Sequence, residues 1–597
     1  MRRAILLGVF AAVLVTAACA TDGGAQAPPT IYVDGSSIGG QCQDGRSAAE
    51  ASSPSTPVCT IARGVALAAS GTTVLVRGGT YPATTIDGHG GTDYLTVQAY
   101  GGESVSLPSI LLSGDASWLR FSGLHLTGDS SRATFRIEEG HAAHIQLLSS
   151  TVQSTTGDAV SIRSGASDIL LQSNTISSRV GGTGGGNGIS FSSTSGNPGS
   201  PGGSSPEPPI THVVIRGNRL VNIGTDAIRP ANFDDVVIEG NEITGVIENG
   251  GHCDAIQVTW GGSNLVVRGN YIHDNQGQGI FIKDGRVTNA TIENNLLVHN
   301  RRVGQQIQLT DVVGLHLVNN TEWDNDLHVS LRDGVRNAVV TNNIFERFSI
   351  DAESPTEEAA VRASTQLDYN LIASIQAARR GPHDTGGTPR FANPGAIEYG
   401  LLADSPGVDA GTAEGAPPFD RACRPRFDQP AVADRGTGAP PYVDLGALET
   451  GPQSTPADST WLPSGACGSA SPGPGAPAAP GTVQKKPTRV QALALRRMRM
   501  RGGRLVVTLV PRVGCRVRVS GRGTWRQAHR KRTARFHPVG KATKPQHRAT
   551  VRLKVPHPMW RAYRHHRRLT LRLGFRLSGC GQQARAVSRT RQLRLKR

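Results

Sequence analysis

Aromatic residues are scarce in this chain: they make up 5% of its 597 residues, against 73 glycines. Beyond the first 20 residues no apolar run is long enough to cross a membrane, and long helical patterns are absent as well. These absences exclude a helical bundle or a membrane span as the main architecture. Many glycines with few bulky side chains favour an all-β fold made of tight turns and thin apolar layers.

A short phrase recurs along the middle of the chain: a β-branched run, then Asn, then a second apolar run, as in HVVIRGNRL (212–220) and NLVVRGNYI (264–272). The phrase returns every 23 to 29 residues, which is typical of a solenoid whose coils bury their apolar faces against each other. Because the strands are short and closely spaced, we expect consecutive coils to pair as parallel strands. We expect the recurring Asn to stack as a ladder, with each amide bonding to the backbone of a neighbouring coil. They are Asn218, Asn241, Asn270, Asn295, Asn320 and Asn343.

Residues 1–20 are predicted to be an export signal, because two arginines precede an apolar run that is shorter than a membrane span. Ala18-Cys19-Ala20 offers a cleavage site for plain secretion, which we favour. The sequence VTAAC (15–19) also resembles a lipoprotein signal in which Cys19 becomes the lipidated terminus. In either case we expect a secreted or cell-surface protein with no membrane span after cleavage, in a compartment where disulfides form.

Seven cysteines remain once Cys19 is set aside, and an odd number leaves one without a partner. We expect this to be Cys253, a small side chain that is more simply explained as buried than as reactive. The expected disulfides are Cys42–Cys59, Cys423–Cys467 and Cys515–Cys580.

Charge divides the chain into two parts. Residues 485–597 hold 34 Lys and Arg and no Asp or Glu, whereas the first 484 residues hold 29 basic and 46 acidic residues, a net −17 against +34. Apolar and basic residues alternate in RLVVTLV (504–510) and LTLRLGFRL (569–577), which predicts a small β-sandwich with one basic face after a Pro/Gly/Ala linker at 451–484. Outside the cell we expect its partner to be an acidic polysaccharide or wall polymer rather than nucleic acid, and we expect a monomer.

The first part of the mature chain resembles secreted bacterial right-handed parallel β-helix proteins of the pectate-lyase-like superfamily. The resemblance rests on YVDG (32–35), the Cys42/Cys59 pair, the helical TIARGVALAA (60–69) and TVLVRGGTY (73–81). It implies a β-helix over 28–400 whose open end is covered by that helix. Residues 401–449 resemble the choice-of-anchor segment that follows many such β-helices, which implies surface association. The fold hosts lyases, hydrolases, epimerases and non-enzymes, so it does not by itself imply an activity.

The richest polar stretch lies on the strands that align through Val160, Ile189, Ile228, Ile256, Ile280, Ile307 and Val329. Two positions before these apolar residues we expect a polar column at the mouth of the strand, which includes Asp226, Asp254 and Gln278. One and three positions after them, alternation predicts outward side chains. These outward residues are Arg229, Gln257, Phe281, Gln308, Lys283 and Arg332, with His252 at the edge.

Such a groove suits an acidic sugar chain, because amides bind hydroxyl groups, an aromatic ring stacks on a sugar ring and cations pair with uronate carboxylates. The chemistry expected there is proton abstraction beside the carboxylate. Lys283 is the candidate base because the like charge of Arg229 favours its neutral amine, and His252 is the alternative base or acid. Arg229 is expected to neutralise the developing charge, and Asp226 with Asp254 is the candidate Ca²⁺ site.

We therefore predict a lyase or an epimerase that acts on a uronate-containing glycan, similar to pectate- and alginate-type lyases and mannuronan epimerases. The sequence leaves the choice between the two reactions open. A hydrolase is disfavoured: GTDAI (224–228) resembles one hydrolase motif, but GQG (277–279) and FIK (281–283) lack the His and Arg of two others. The alternative is a non-catalytic surface or adhesion protein that binds glycan or wall polymer.

Overall fold

The structure is a computed structural model. It describes residues 29–35, 41–128, 132–138, 140–178, 185–192, 207–247, 253–300, 306–325, 328–374, 380–394, 398–451, 493–501, 504–511, 516–527, 530–542, 549–557, 569–578 and 587–593. The predicted signal at 1–20 and nearly all of the linker at 451–484 lie outside these residues. So do His252, Cys19, Cys467, Cys515 and Cys580.

Three parallel sheets wrap around one apolar interior and form a solenoid of about 11 coils. Sheet A contains Thr30–Val33, Thr73–Val76, Leu95–Ala99, Ser117–Ser122, Ala143–Leu148, Ser167–Gln172, Ile210–Arg216, Ala231–Glu239, the second half of Ile256–Arg268, Val287–Glu293, Val312–Val318, Arg336–Thr341 and Thr365–Asp368. Sheet B contains Gly79–Thr80, Val105–Leu107, Leu124–Gly128, Thr151–Ser154, Thr175–Ser177, Arg219–Ile223, Glu242–Val246, Tyr271–His273, Leu296–Val298, Thr321–Trp323, the first half of Ile344–Ile350, and Leu371–Ser374. Sheet C contains Thr84–Asp87, Ile110–Ser113, Phe135–Ile137, Val160–Arg163, Ile189–Ser192, Ile228–Arg229, the first half of Ile256–Arg268, Ile280–Ile282, Ile307–Leu309, Val329–Leu331 and the second half of Ile344–Ile350.

The period-2 pattern of the phrase explains sheet A. In Ala231–Glu239, Val236 and Ile238 are fully buried while Val237 between them is partly exposed, and the strands before and after repeat this alternation. Each coil therefore adds one layer of Val, Ile and Leu to the core, so the solenoid needs few aromatic residues. The prediction of a parallel β-solenoid is confirmed.

The predicted Asn ladder lies at the turn between sheets A and B. At Asn270, the Oδ1 atom accepts hydrogen bonds from the backbone N–H and Nδ2 of Asn241, both at 3.0 Å, and its Nδ2 donates to Ile238 O at 3.0 Å. All six predicted Asn are fully buried. The residue before each Asn has a left-handed backbone, for example Gly269 with φ 63°, which lets the chain turn within two residues. The same ladder also includes Asn174 and Asn370.

A second Asn ladder follows sheet B, and the sequence interpretation missed it. The Asn275 and Asn300 N–H groups donate to Oδ1 of the Asn one coil further on, at 3.2 and 2.8 Å, and the series ends at Asn325. These residues lie in HDNQ, VHNR and WDND, where the apolar flank after the Asn is missing. The recurring phrase is defined by an apolar run after the Asn, so the pattern did not include these three Asn.

The N-terminal end carries the predicted helix, Ile61–Leu67, whose first turn is capped by the Thr60 hydroxyl. A Cβ at Gly64 would lie 2.6 Å from Val33 Cγ2, so the helix packs directly on the first strand because this position has no side chain. The Cys42–Cys59 disulfide is present, as predicted. A second α-helix, Pro355–Ala363, lies near the last coils, and Glu50–Ser52 and Tyr100–Gly102 are short 3-10 turns.

Residues 391–450 form a segment that packs against the corner between sheets A and B. It begins with the antiparallel pair Phe391–Asn393 and Glu398–Leu401 and continues without regular structure. Asn319 Nδ2 donates to Asp444 O at 3.0 Å, and Asn342 Nδ2 donates to Thr412 O at 2.7 Å. The segment therefore uses the outer side of the turns that carry the first Asn ladder. Cys423 is disulfide-bonded, and its expected partner Cys467 lies outside the described part of the chain.

The chain divides into two compact units, Met1–Pro472 and Gly473–Arg597. The second unit contains two antiparallel sheets, as predicted for a small β-sandwich. One contains Leu493–Arg501, Arg504–Pro511 and Ala549–Lys554, and the other contains Arg530–Ala542, Arg516–Gln527, Leu569–Ser578 and Val587–Leu593. Leu553 is buried between exposed Arg552 and Lys554, which is the expected alternation. Within the described residues no helix is long and apolar enough to cross a membrane.

Candidate functional site

The candidate site lies on sheet C, and the predicted register of its strands is confirmed. Ile256 pairs with Ile228 on one side and with Ile280 on the other, and the pairing continues in step along the sheet. Gln257 is therefore directly opposite Phe281, which is opposite Gln308. We call six outer residues the polar strip; they are Arg229, Gln257, Phe281, Lys283, Gln308 and Arg332.

The column at the mouth of these strands is itself a hydrogen-bonded ladder. The Asp254 N–H donates to Asp226 Oδ1 at 3.1 Å, and the Gln278 N–H donates to Asp254 Oδ1 at 2.9 Å. One coil earlier Asn187 does the same, because its Oδ1 accepts from the Asp226 N–H at 3.2 Å. One oxygen of each carboxylate thus satisfies the backbone of the neighbouring coil, as an Asn would.

The remaining oxygen of Asp226 gives the site its electrostatic character. Asp226 is 4% exposed, and its Oδ2 lies 3.8 Å from Arg229 Nε. Burial and then the charge of Asp254 raise the pKa of Asp226 to about 7, against the opposing effects of Arg229 and Lys283. Asp226 therefore exchanges its proton near neutral pH, which the sequence interpretation did not foresee.

Two of the three cations of the strip, Arg229 and Lys283, lie against aromatic rings. The Arg229 guanidinium carbon is 5.6 Å from the centroid of the Trp260 ring, and Lys283 Nζ is 5.0 Å from that of Phe281. Lys283 Nζ also lies 3.8 Å from Asp284 Oδ2, and a quarter of its side chain is exposed. The rings restrict where the cationic groups can move while leaving them accessible from the surface.

The strip is more deeply recessed than the shallow groove we expected. Gln257 is 4% exposed and Phe281 is 7% exposed, although alternation directs both away from the core. Gln257 Nε2 donates to Asp254 Oδ2 at 2.6 Å, and Gln278 Nε2 donates to Gln308 Oε1 at 3.2 Å. These amides bind each other and the mouth column, so the partly exposed groups of the strip are Arg229, Lys283, Gln308 and Arg332.

The residues directly after three strands form a partly exposed column at one edge of the strip. The Lys283, Thr310 and Arg332 N–H groups each donate to the preceding coil, at 3.0, 3.1 and 2.9 Å. Lys283 and Arg332 are therefore two coils apart, about 10 Å at the usual strand spacing. Two cations at this separation can contact different carboxylates of one polymer.

The Ca²⁺ ion predicted at Asp226 and Asp254 would have to share oxygens that already accept hydrogen bonds. Oδ1 of both residues accepts a backbone N–H, and Asp254 Oδ2 accepts from Gln257. Asp226 Oδ2 is the exception, and Arg229 faces it. The ion stays a prediction, and its chemistry there would be to bind a substrate carboxylate.

A second polar cluster on sheet B was missed by the sequence interpretation. The His273 ring stacks on Tyr271 with 3.9 Å between centroids, and its Nε2 lies 3.3 Å from Glu242 Oε1. Burial acts to raise the pKa of Glu242, but the His273 hydrogen bond and the charge of Arg219 outweigh it and lower that pKa. Buried Arg421 covers the Tyr271 ring at 5.1 Å. It lies 150 residues further along the chain, so no local pattern places it there.

Comparison with known proteins agrees with the coil geometry. The family model for the right-handed beta helix region matches residues 122–322. No curated protein matches the sequence at a significant level. Among solved structures, pectate lyase Pel9A is 14% identical with a TM-score of 0.41, covering 71% of this chain and 96% of its own.

Two further solved structures are similar at the same low level. DFA-IIIase from Arthrobacter chlorophenolicus A6 is 11% identical with a TM-score of 0.33, covering 52% of this chain and 87% of its own. PfbA, a surface adhesin of Streptococcus pneumoniae, is 12% identical with a TM-score of 0.30, covering 58% of this chain and 94% of its own. The family match over residues 122–322 and the stacked parallel coils show that the chain contains a right-handed parallel β-helix.

Proposed function

We propose that the polar strip binds an acidic glycan and removes the proton beside a uronate carboxylate. The observation that carries this proposal is the contact of Arg229 with the buried carboxyl of Asp226, whose pKa the charge of Lys283 also lowers. Because that carboxyl is protonated for part of the time at neutral pH, it neutralises Arg229 incompletely. A substrate carboxylate supplies the missing negative charge.

Each group then has a defined task. Arg229 pairs with the substrate carboxylate, and Asp226 positions Arg229. The neutral amine of Lys283 takes the C5 proton, and the C–H electron pair moves into the carboxylate as an enolate that Arg229 stabilises. In a lyase the C4–O bond then breaks, a C4=C5 double bond forms and the leaving oxygen takes a proton from water. In an epimerase water returns a proton to C5 from the opposite face. In both reactions the Lys283 ammonium then gives its proton to the hydroxide that remains, so the two reactions share the step assigned to Lys283.

The test is incubation of the purified chain with a panel of uronans, with and without Ca²⁺. Ultraviolet absorbance detects an unsaturated product, and proton NMR detects an inverted C5 centre. We expect one of these products with at least one uronan, and we expect Lys283→Ala to reduce the rate at least 100-fold.

The matched control is Arg286→Ala, which removes an exposed cation three residues away that pairs with Asp311 at 2.8 Å. This variant should keep the wild-type rate. Absence of both products across the panel, or equal rates for Lys283→Ala and wild type, contradicts the proposal. Retention of a uronan without turnover supports instead the non-catalytic binding protein.

A second function is favoured by the register of the C-terminal unit. In its four-stranded sheet Arg522 pairs directly with Arg535 on one side and with Arg572 on the other, and Arg518 pairs with Arg576. Residues 485–597 also hold 34 Lys and Arg and no Asp or Glu, so we propose that this unit binds an acidic polysaccharide.

This second function is tested on the full chain. We expect it to bind polygalacturonate and not neutral dextran, with an affinity that falls steeply as salt rises. Arg522→Gln with Arg572→Gln should weaken binding at least tenfold, whereas Arg286→Ala, an exposed cation outside the polar strip, should not. Equal binding by the double variant and wild type contradicts this role of the sheet.

A further inference from the structure

Three acidic side chains lie close together on the C-terminal segment, residues 391–450. One carboxylate oxygen from each of Asp409, Asp428 and Asp434 lies within 4.8 Å of the other two. Asp409 is fully buried, whereas the other two are exposed. The backbone holds the group together, since the Arg435 and Gly436 N–H groups donate to Asp409 O at 2.7 and 3.0 Å.

Asp409 lacks the partners that a buried carboxylate needs. Its Oδ2 accepts from the Gln429 N–H at 3.3 Å, but its buried Oδ1 has no hydrogen-bond partner in the described part of the chain. Burial, and then the charges of Asp444, Asp428 and Asp434, raise the pKa of Asp409 to about 7. Its carboxylate therefore lies in the field of both exposed acids, with one oxygen left to be satisfied.

The basic side chain of Arg435, in the same stretch, bonds elsewhere. Arg435 Nη2 instead donates to Pro406 O at 2.9 Å and Val408 O at 3.0 Å. Across the described residues, none of the three carboxylates forms a salt bridge. Among the described residues, therefore, no cation pairs with this group.

We propose that Asp409, Asp428 and Asp434 form a Ca²⁺ site that fastens the C-terminal segment. Hard oxygen ligands select Ca²⁺ or Mg²⁺, and three carboxylate oxygens within 4.8 Å of one another can reach one ion. Mg²⁺ usually keeps several waters and binds one or two carboxylates, so a group of three carboxylates favours Ca²⁺. Asp409 supplies the buried ligand, and the exposed positions of the other two leave room for the waters that complete a Ca²⁺ shell.

The ion would join two parts of the segment. Asp409 precedes Thr412, whose N–H donates to Asn342 Oδ1 at 2.8 Å on the turn between sheets A and B. Asp428 and Asp434 lie in the returning stretch, which Arg435 attaches to Pro406 and Val408. Bound Ca²⁺ would therefore connect that stretch to the part of the segment that is bonded to the β-helix.

The experiment is calorimetric titration of chelator-treated, full-length protein with CaCl₂ and separately with MgCl₂. It is performed in an Asp226→Asn background, which removes the ion predicted on sheet C and leaves the group on the segment to be measured alone. The test variant is Asp428→Asn with Asp434→Asn, because both residues are exposed and their loss should not unfold the protein. The matched control is Glu414→Gln, an exposed acid of the same segment outside the group.

We expect one Ca²⁺ per chain, an affinity at least tenfold lower in the double variant, and an affinity within twofold of the parent in Glu414→Gln. We also expect Ca²⁺ to raise the thermal midpoint of the parent and not of the double variant. Absence of Ca²⁺ binding, or equal Ca²⁺ affinity in the parent and double variant, overturns the site. Mg²⁺ binding as tight as that of Ca²⁺ overturns the choice of ion.

Discussion

Replacement of Asp226 by Asn should stabilise the protein, and only above a defined pH. Asp226 accepts the Asp254 N–H through Oδ1, and an Asn keeps that acceptor. Asn187 already fills the same ladder position one coil earlier. The substitution therefore removes a buried charge without removing the hydrogen bond that joins the coils.

The magnitude follows from the pKa of Asp226. A rise from 3.8 to about 7 corresponds to about 4 kcal/mol of unfavourable free energy when the carboxyl is ionised in the native state. That pKa already includes the attraction of Arg229, so nothing further is subtracted for the loss of this contact in the variant. The expected gain above pH 7 is therefore about 4 kcal/mol.

The pH dependence has a fixed sign. Between about pH 4 and pH 7 the native state keeps the Asp226 proton that the unfolded state has already lost. The wild-type free energy of unfolding therefore falls, relative to that of the Asn variant, as pH rises through this window. The two proteins should be about equally stable near pH 4, and the difference should be complete above pH 7.

The measurement is urea unfolding of both proteins at half-unit steps from pH 4 to pH 8, in EDTA. The control is Asp235→Asn, which removes a half-exposed carboxylate where the left-handed backbone tolerates Asn. Its effect should stay within about 0.5 kcal/mol at every pH. An Asp226→Asn variant that is less stable than wild type at pH 8, or a difference that does not change with pH, refutes the reasoning.

Two further predictions concern the solenoid itself. Asn270→Ala should lower the free energy of unfolding by about 2–5 kcal/mol, because it leaves buried backbone groups of two neighbouring coils unpaired; urea unfolding tests this, and exposed Asn264→Gly should have a much smaller effect. Replacement of Cys42 and Cys59 by Ser should lower the free energy of unfolding by about 3 kcal/mol, since the bridge closes a 17-residue loop. In hydrogen exchange, the amides of residues 41–70 should lose protection first. An equal loss of protection in all coils of the β-helix would contradict a cap that unfolds locally.

The sequence by itself determined the solenoid and the register of its strands. Both depend on local patterns: β-branched alternation decides which side chains enter the core, and each buried Asn pairs only with its neighbours one coil away. The repeat pattern therefore predicts that Gln257 lies opposite Phe281, as the structure shows. The same method missed Asn275 and Asn300, because their flanks lack the apolar run that marked the repeat.

Only the tertiary structure decided which polar groups are buried and what faces them. The pKa of Asp226 depends on solvent excluded by several coils and on the summed charges of Asp254, Arg229 and Lys283. The contact of Arg421 with Tyr271 joins residues 150 positions apart. Desolvation and electrostatics depend on distances in space, whereas a sequence pattern reports only separation along the chain. The sequence could therefore predict that the polar strip lies on sheet C, but it could not predict the raised pKa of Asp226 or the charges that face it.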